Sequence, residues 1–199
     1  MNSFWFLLKR WFIEMGSPPL FFNWSSKIVS WLGISALSFL LLGLYWGLIL
    51  APPDYKQGDV FRILYIHVPS AIMGESIFIF MAFCGFINVI WRAKISGMMI
   101  KSAAPIGMSF VLLTLLTGSI WGKPTWGTWW VWDARLTSTL ILFFIYMALI
   151  GLHSTIDDKT KADRAVSILA IVGVAIIPVI KKSVDWWQTL HQPSNFNLT

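Results

Sequence analysis

The sequence predicts an all-α integral membrane protein, a bundle of five transmembrane helices with a tryptophan-rich external loop. Three observations carry that prediction. Of the 199 residues, 57% are hydrophobic and only 12% charged, against about 25% charged in an average soluble domain. The apolar residues fall into five long stretches. Between those stretches, aromatic and charged residues collect unequally on the two sides that alternation defines. A soluble domain of this size has more surface than 12% charge can cover, so disorder, a nucleic-acid-binding tail and an ordinary soluble enzyme are excluded.

The spans follow in order. Residues 28–50 carry no charge over 23 positions. Residues 68–91 carry one, Glu75, and residues 102–120, 136–152 and 165–180 carry none. A helix rises 1.5 Å per residue and needs about 20 residues to cross a bilayer, with roughly 17–25 typical. The last two stretches sit at or just under that length. They are read as spans because Lys181 and Lys182 can snorkel and flanking residues can extend the helices. Before the first span, Met1 to Phe12 holds Lys9 and Arg10 and has no small-residue cleavage site, so it does not follow a signal-peptide pattern. Pro18 and Pro19 interrupt any helix there, and Trp5, Trp11 and Trp24 suit the membrane interface.

Charge orients the bundle. With a cytoplasmic N-terminus, nine Lys and Arg residues lie inside (Lys9, Arg10, Lys27, Arg92, Lys94, Lys101, Lys159, Lys161, Arg164) and six outside (Lys56, Arg62, Lys123, Arg135, Lys181, Lys182). The bias has the sign of the positive-inside rule. Cys84 is the single cysteine, so no intrachain disulfide forms and thiols do not report the compartment.

Alternation puts residues 51–67, 121–135 and 181–199 on one side. They hold seven of the 13 tryptophans together with His67 and His191. Within 121–135, Trp121, Trp126, Trp129, Trp130 and Trp132 place five indoles in 12 residues, with Gly122, Gly127 and Pro124 shaping the backbone. Two readings stand: an aromatic belt anchoring helix ends, or a platform on which a flat ligand stacks. His67 and His191 are read either as satisfied interfacial histidines or as one shared site. Imidazole suits haem iron, and two imidazoles from different helix ends would grip it from both faces. His153, on the other side, is read as structural. Asp133 is placed to start the fourth helix. Arg62, Lys123 and Arg135 are same-side cations able to meet carboxylates or to snorkel. Glu75 is an intramembrane acid without a visible basic partner, read as protonated or paired with a hydroxyl. Hydrolytic triads, Walker loops, dinucleotide fingerprints and HExxH zinc motifs do not occur.

The segment WGKPTWGTWWVWDARLTS at 121–138 resembles the WWD motif of the haem-handling membrane proteins of cytochrome c maturation. With APPDYKQGDVFRILYIHVPSAIM before it and SVDWWQTLHQ after it, the chain is similar to the CcmC branch of that family from about residue 28 to 192. The resemblance implies a transfer component rather than an enzyme. It would sit in a bacterial inner membrane or an organellar one, with the WWD loop periplasmic in the bacterial case. Haem b would be its cargo, His67 and His191 the axial ligands, and Trp121, Trp126, Trp129, Trp130, Trp132 and Asp133 the haem-contacting motif. It also implies delivery to the haem chaperone CcmE, with CcmD and the ABC-type pair CcmA and CcmB as partners. A bis-histidine electron-transfer subunit and a haem lyase of the same motif are the rival readings. Family members usually continue into a sixth membrane helix, whereas the sequence here stops at Thr199, and Glu75 has no counterpart in the motif.

Overall fold

A computed structural model describes residues 5, 7, 10, 16–187 and 189–191. Trp11, most of the N-terminal segment read as interfacial, and the tail from Gln192 lie outside the described residues. The described residues form helices joined by short connections, and five segments are long and apolar enough to cross a membrane. We number the helices α1 (Pro18–Tyr45), α2 (Leu64–Trp91), α3 (Lys94–Trp126), α4 (Ala134–Thr155), α5 (Lys159–Gly173) and α6 (Ile176–Trp186).

Each of the five spans outruns the apolar stretch that announced it at one end or both, because the flanking turns contain good helix formers or caps. Pro18 and Pro19 begin α1 rather than interrupting it, since a helix's first turn needs no N–H from them. A π-helical turn, Trp46–Leu50, completes the first span. A 3-10 turn, Asp59–Ile63, leads into α2. α3 runs through Pro124 and stops where Gly127 takes the left-handed conformation (φ 79°), which glycine adopts without a Cβ clash. Trp121 and Trp126 therefore stand on helix, and the irregular part of the tryptophan segment is 127–133. Asp158 caps α5 by accepting from the N–H groups of Thr160 and Lys161.

The fifth span is two helices, α5 and α6, broken at Val174 and Ala175. Pro178 explains the break: it has no N–H for the Val174 carbonyl four residues back, and its ring crowds that oxygen. The carbonyl is taken instead by the Ile177 N–H at 3.0 Å.

α2 to α6 share one core of Phe78, Met81, Ile100, Leu142, Tyr146, Leu149, Val166, Ala170, Ile177 and Ile180. Lipid tails are as apolar as leucine, so close backbone approach matters more here than in water. Small residues supply it: a Cβ on Gly74 would stand 2.7 Å from Val111, and one on Gly85 2.7 Å from the Ser167 carbonyl. The Tyr146 hydroxyl donates to the Gly74 carbonyl at 2.7 Å, and its ring meets Phe78 edge to face. α1 buries none of its residues against this bundle. It makes slight contact with α2, and the turn that follows it brings Gly47 against Tyr65.

Candidate functional site

A cavity of about 630 Å³ opens at the end of the bundle where α2 begins and α3 ends. That volume lies within the roughly 300–1,000 Å³ range of small-molecule sites. Its walls come from α2, α3, α4 and α6, from the loop before α2, from the 127–133 segment and from the chain after α6. His67, Trp121, Trp126, Trp130 and His191 all line it.

His67 lies in the first turn of α2, one helix away from Thr117 on α3. Its Nδ1 is 2.9 Å from the Thr117 hydroxyl oxygen. That hydroxyl spends its own proton on the Leu113 carbonyl at 2.7 Å, so it accepts from His67 Nδ1–H. The ring is thereby held in the tautomer whose Nε2 carries a free lone pair, the form that binds metal. Gly118 makes room for it, since a Cβ there would be 3.0 Å from His67 Cε1. Trp121 meets the imidazole edge to face at 5.7 Å between centroids. Trp121 is itself anchored by its indole N–H, which donates to Gln57 Oε1 at 2.7 Å.

His191 reaches the same cavity from the chain beyond α6. Its Nδ1 lies 3.0 Å from Asp133 Oδ2. An ionised carboxylate only accepts, so this contact again puts the proton on Nδ1 and leaves Nε2 bare. Asp133 has two tasks: Oδ1 caps α4 by accepting from the Leu136 N–H at 2.7 Å, while Oδ2 receives His191 and the Thr189 hydroxyl. Burial alone would raise the Asp133 carboxyl, but the hydrogen bonds from Leu136, Thr189 and His191 outweigh it and hold it below the usual carboxylate range. Burial lowers His191 below the ordinary imidazole value, only partly opposed by Asp133, so its neutral, metal-binding form persists into acid. The Trp126 ring packs on His191 at 4.7 Å between centroids.

The five indoles divide. Trp121, Trp126 and Trp130 line the cavity, and Trp130 Nε1 is buried with no hydrogen-bond acceptor. Trp129 and Trp132 are 56% and 76% exposed and do not line it. Lining of the cavity thus separates Trp121, Trp126 and Trp130 from Trp129 and Trp132. The three cations divide as well. Arg62 donates to the Leu48 and Ala51 carbonyls and ties α1's end to the loop. Lys123 donates to the Gly127 carbonyl, and Arg135 lines the cavity. His153 stays at the opposite end, 3.2 Å from Asp163.

Glu75 has the basic partner the sequence does not reveal: Lys181 Nζ, from α6, lies 2.6 Å from Glu75 Oε2 as an ion pair without hydrogen-bond alignment. Other supporting residues also escape the sequence reading. Gln57, Thr117 and Gly118 lie 50 or more residues from some of the groups they serve, and only Thr189, two residues before His191, carried a local signal.

The model of the CcmC family, Heme exporter protein C, matches residues 11–199. The chain belongs to the Heme exporter protein C family. It is 45% identical over 181 residues to Heme exporter protein C of Escherichia coli, covering 91% of this chain and 74% of that protein. Against Heme exporter protein C of Bradyrhizobium diazoefficiens it is 44% identical, covering 92% and 69%. A ccmC-like mitochondrial protein of cytochrome c biosynthesis from Marchantia polymorpha is 44% identical, covering 90% and 76%. The family match includes both histidines and the whole tryptophan segment.

Proposed function

We propose that this protein holds haem b at the external face of a bacterial inner membrane and delivers it to the chaperone CcmE during cytochrome c biogenesis. His67 and His191 are the axial ligands, Trp121, Trp126 and Trp130 contact the macrocycle, and Asp133 holds His191 in place. The N-terminus is cytoplasmic and the tryptophan segment periplasmic. CcmD and the ABC-type pair CcmA and CcmB act with it.

One observation carries this reading. Two imidazoles from distant parts of the chain line one indole-walled cavity, each with its Nδ1 engaged by a neighbour that leaves Nε2 free. Such partners fix tautomer and ring orientation at metal sites. The cavity suits temporary cargo. Its ligand on one side is a short chain after α6, not a buried helix interior, so release needs only a local movement. That placement also separates it from electron-transfer subunits that retain their haem between spans. The residues supply binding and orientation, which is what transfer of a ligand requires.

The test is the absorption spectrum of the purified protein after reconstitution with haem. His67→Ala and His191→Ala should each shift the Soret band and lower haem occupancy, while His153→Gln should leave both unchanged. Wild-type spectra with both single histidine variants would refute the ligand assignment. A loading assay with CcmE then tests delivery: haem-replete protein that never passes haem to CcmE would refute the transfer role.

A further inference from the structure

The cavity is electrically asymmetric along its length. Lys56 and Arg135 line it near the mouth. Glu75 lines it at depth, eight residues beyond His67 on α2, about 12 Å further in by helical rise. Around Glu75 the wall is apolar: Ala71, Val111, Leu115, Leu142 and Ile180. Lys181 does not line the cavity. It approaches Glu75 from outside, half-exposed, and pairs with the buried carboxylate. Of the pair, the carboxylate is the member that faces the cavity. The pair also bridges two helices with little direct contact, since α6 packs mainly on α4.

We infer that Glu75 determines specificity, admitting tetrapyrroles whose carboxylates lie along one edge and rejecting those that carry carboxylates on the opposite edge as well. This rests on the haem-binding reading above. Haem b has two propionates on one edge and two vinyl groups on the other side. Placed with its carboxylates at the Lys56 and Arg135 end, its apolar edge faces Ala71, Val111 and Leu142. Reversed, it would set propionates against Glu75, whose ammonium partner Lys181 is already engaged and lies off the cavity, so a second carboxylate there would have no cation of its own in an apolar wall. A porphyrin with propionates in place of the vinyls meets that cost in either orientation. Glu75 thus sets both which porphyrin enters and which edge leads. The edge nearest the mouth is the propionate edge, and the vinyl edge lies inward until the site loosens.

The experiment measures dissociation constants by Soret titration for iron protoporphyrin, iron coproporphyrin III and iron coproporphyrin III tetramethyl ester. Coproporphyrin III has propionates where protoporphyrin has vinyls, and its ester keeps nearly the same shape without charge. The proteins are wild type, Glu75→Gln, and the double variant Glu75→Gln/Lys181→Met, which leaves no orphaned ammonium. Wild type should bind iron protoporphyrin and the ester and discriminate against the free tetracarboxylate. Both variants should bind the tetracarboxylate at least about tenfold more tightly while their affinity for iron protoporphyrin changes less than about threefold. An unchanged ratio in both variants overturns the inference and leaves haem binding standing. Rejection of the ester by wild type also overturns it, because shape would then be the discriminator. Failure of wild type to bind iron protoporphyrin overturns the haem-binding reading and this inference together.

Discussion

Asp133→Asn is the most informative single change, because the two oxygens of Asp133 face different donors. Oδ1 accepts from the Leu136 N–H at 2.7 Å, and Oδ2 accepts from His191 Nδ1 at 3.0 Å and from Thr189. An asparagine keeps one oxygen and turns the other into an NH₂ donor. If the oxygen caps α4, the amide confronts His191 and forces its proton onto Nε2, the nitrogen that the proposed iron ligation uses. If the oxygen serves His191, the amide confronts the Leu136 N–H and the cap is lost. A charged hydrogen bond contributes about 1.5–3 kcal/mol, and a metal ligand's hydrogen-bonding partner typically accounts for roughly 10- to 100-fold in affinity. At about 1.4 kcal/mol per factor of ten the two figures agree. The first orientation should weaken haem binding about 10- to 100-fold in titration, whereas the second loses the cap at about 1 kcal/mol of thermal stability. Asp133→Ala should lose both. Wild-type haem affinity together with wild-type stability in Asp133→Asn would refute this, as would losses of affinity in Asn and Ala that only track lost stability.

Acid should reveal His191 separately. Its folded value is depressed, so between that value and the ordinary 6.5 the unfolded chain binds the proton more readily than the folded one. The stability this group contributes is complete above 6.5 and declines as pH falls toward and through the folded value. Haem occupancy followed by the Soret band should therefore persist below pH 6.5, and loss of half the haem at 6.5 itself would contradict the assignment. Gly107→Ala would drive a methyl into the Tyr146 hydroxyl and disturb its bond to Gly74. Overpacking with one lost hydrogen bond predicts about 2–4 kcal/mol of destabilisation, measurable as a lowered midpoint in denaturant, and a neutral result would argue against the α3–α4 packing. Trp126→Ala removes the ring against His191 and should reduce CcmE loading several-fold, whereas Trp132→Ala, mostly exposed and off the cavity, should not. Equal effects would return all five indoles to a single role.

The sequence by itself determined the class of molecule. Uncharged stretches long enough to cross a bilayer leave the backbone no choice but helix, since each N–H and C=O in lipid must bond within its own segment. Alternation of those stretches was enough to bring His67, His191 and the tryptophan segment to one end, and Asp133 was legible as a cap because capping depends on neighbours three residues away. What the tertiary structure decided are contacts between residues far apart in the chain. Thr117 on α3 sets the proton of His67 on α2, and Asp133 sets that of His191 across 58 positions. The division of the indoles followed from α3 continuing through Pro124 to Gly127, a matter of where one helix ends. Lys181 finding Glu75 is the clearest case, because the two residues lie on α6 and α2, far apart in the chain. Patterns of apolarity report how long a helix is and which end is which. They carry little information on how one helix is rotated against another, and that rotation chooses the partner of every buried polar group.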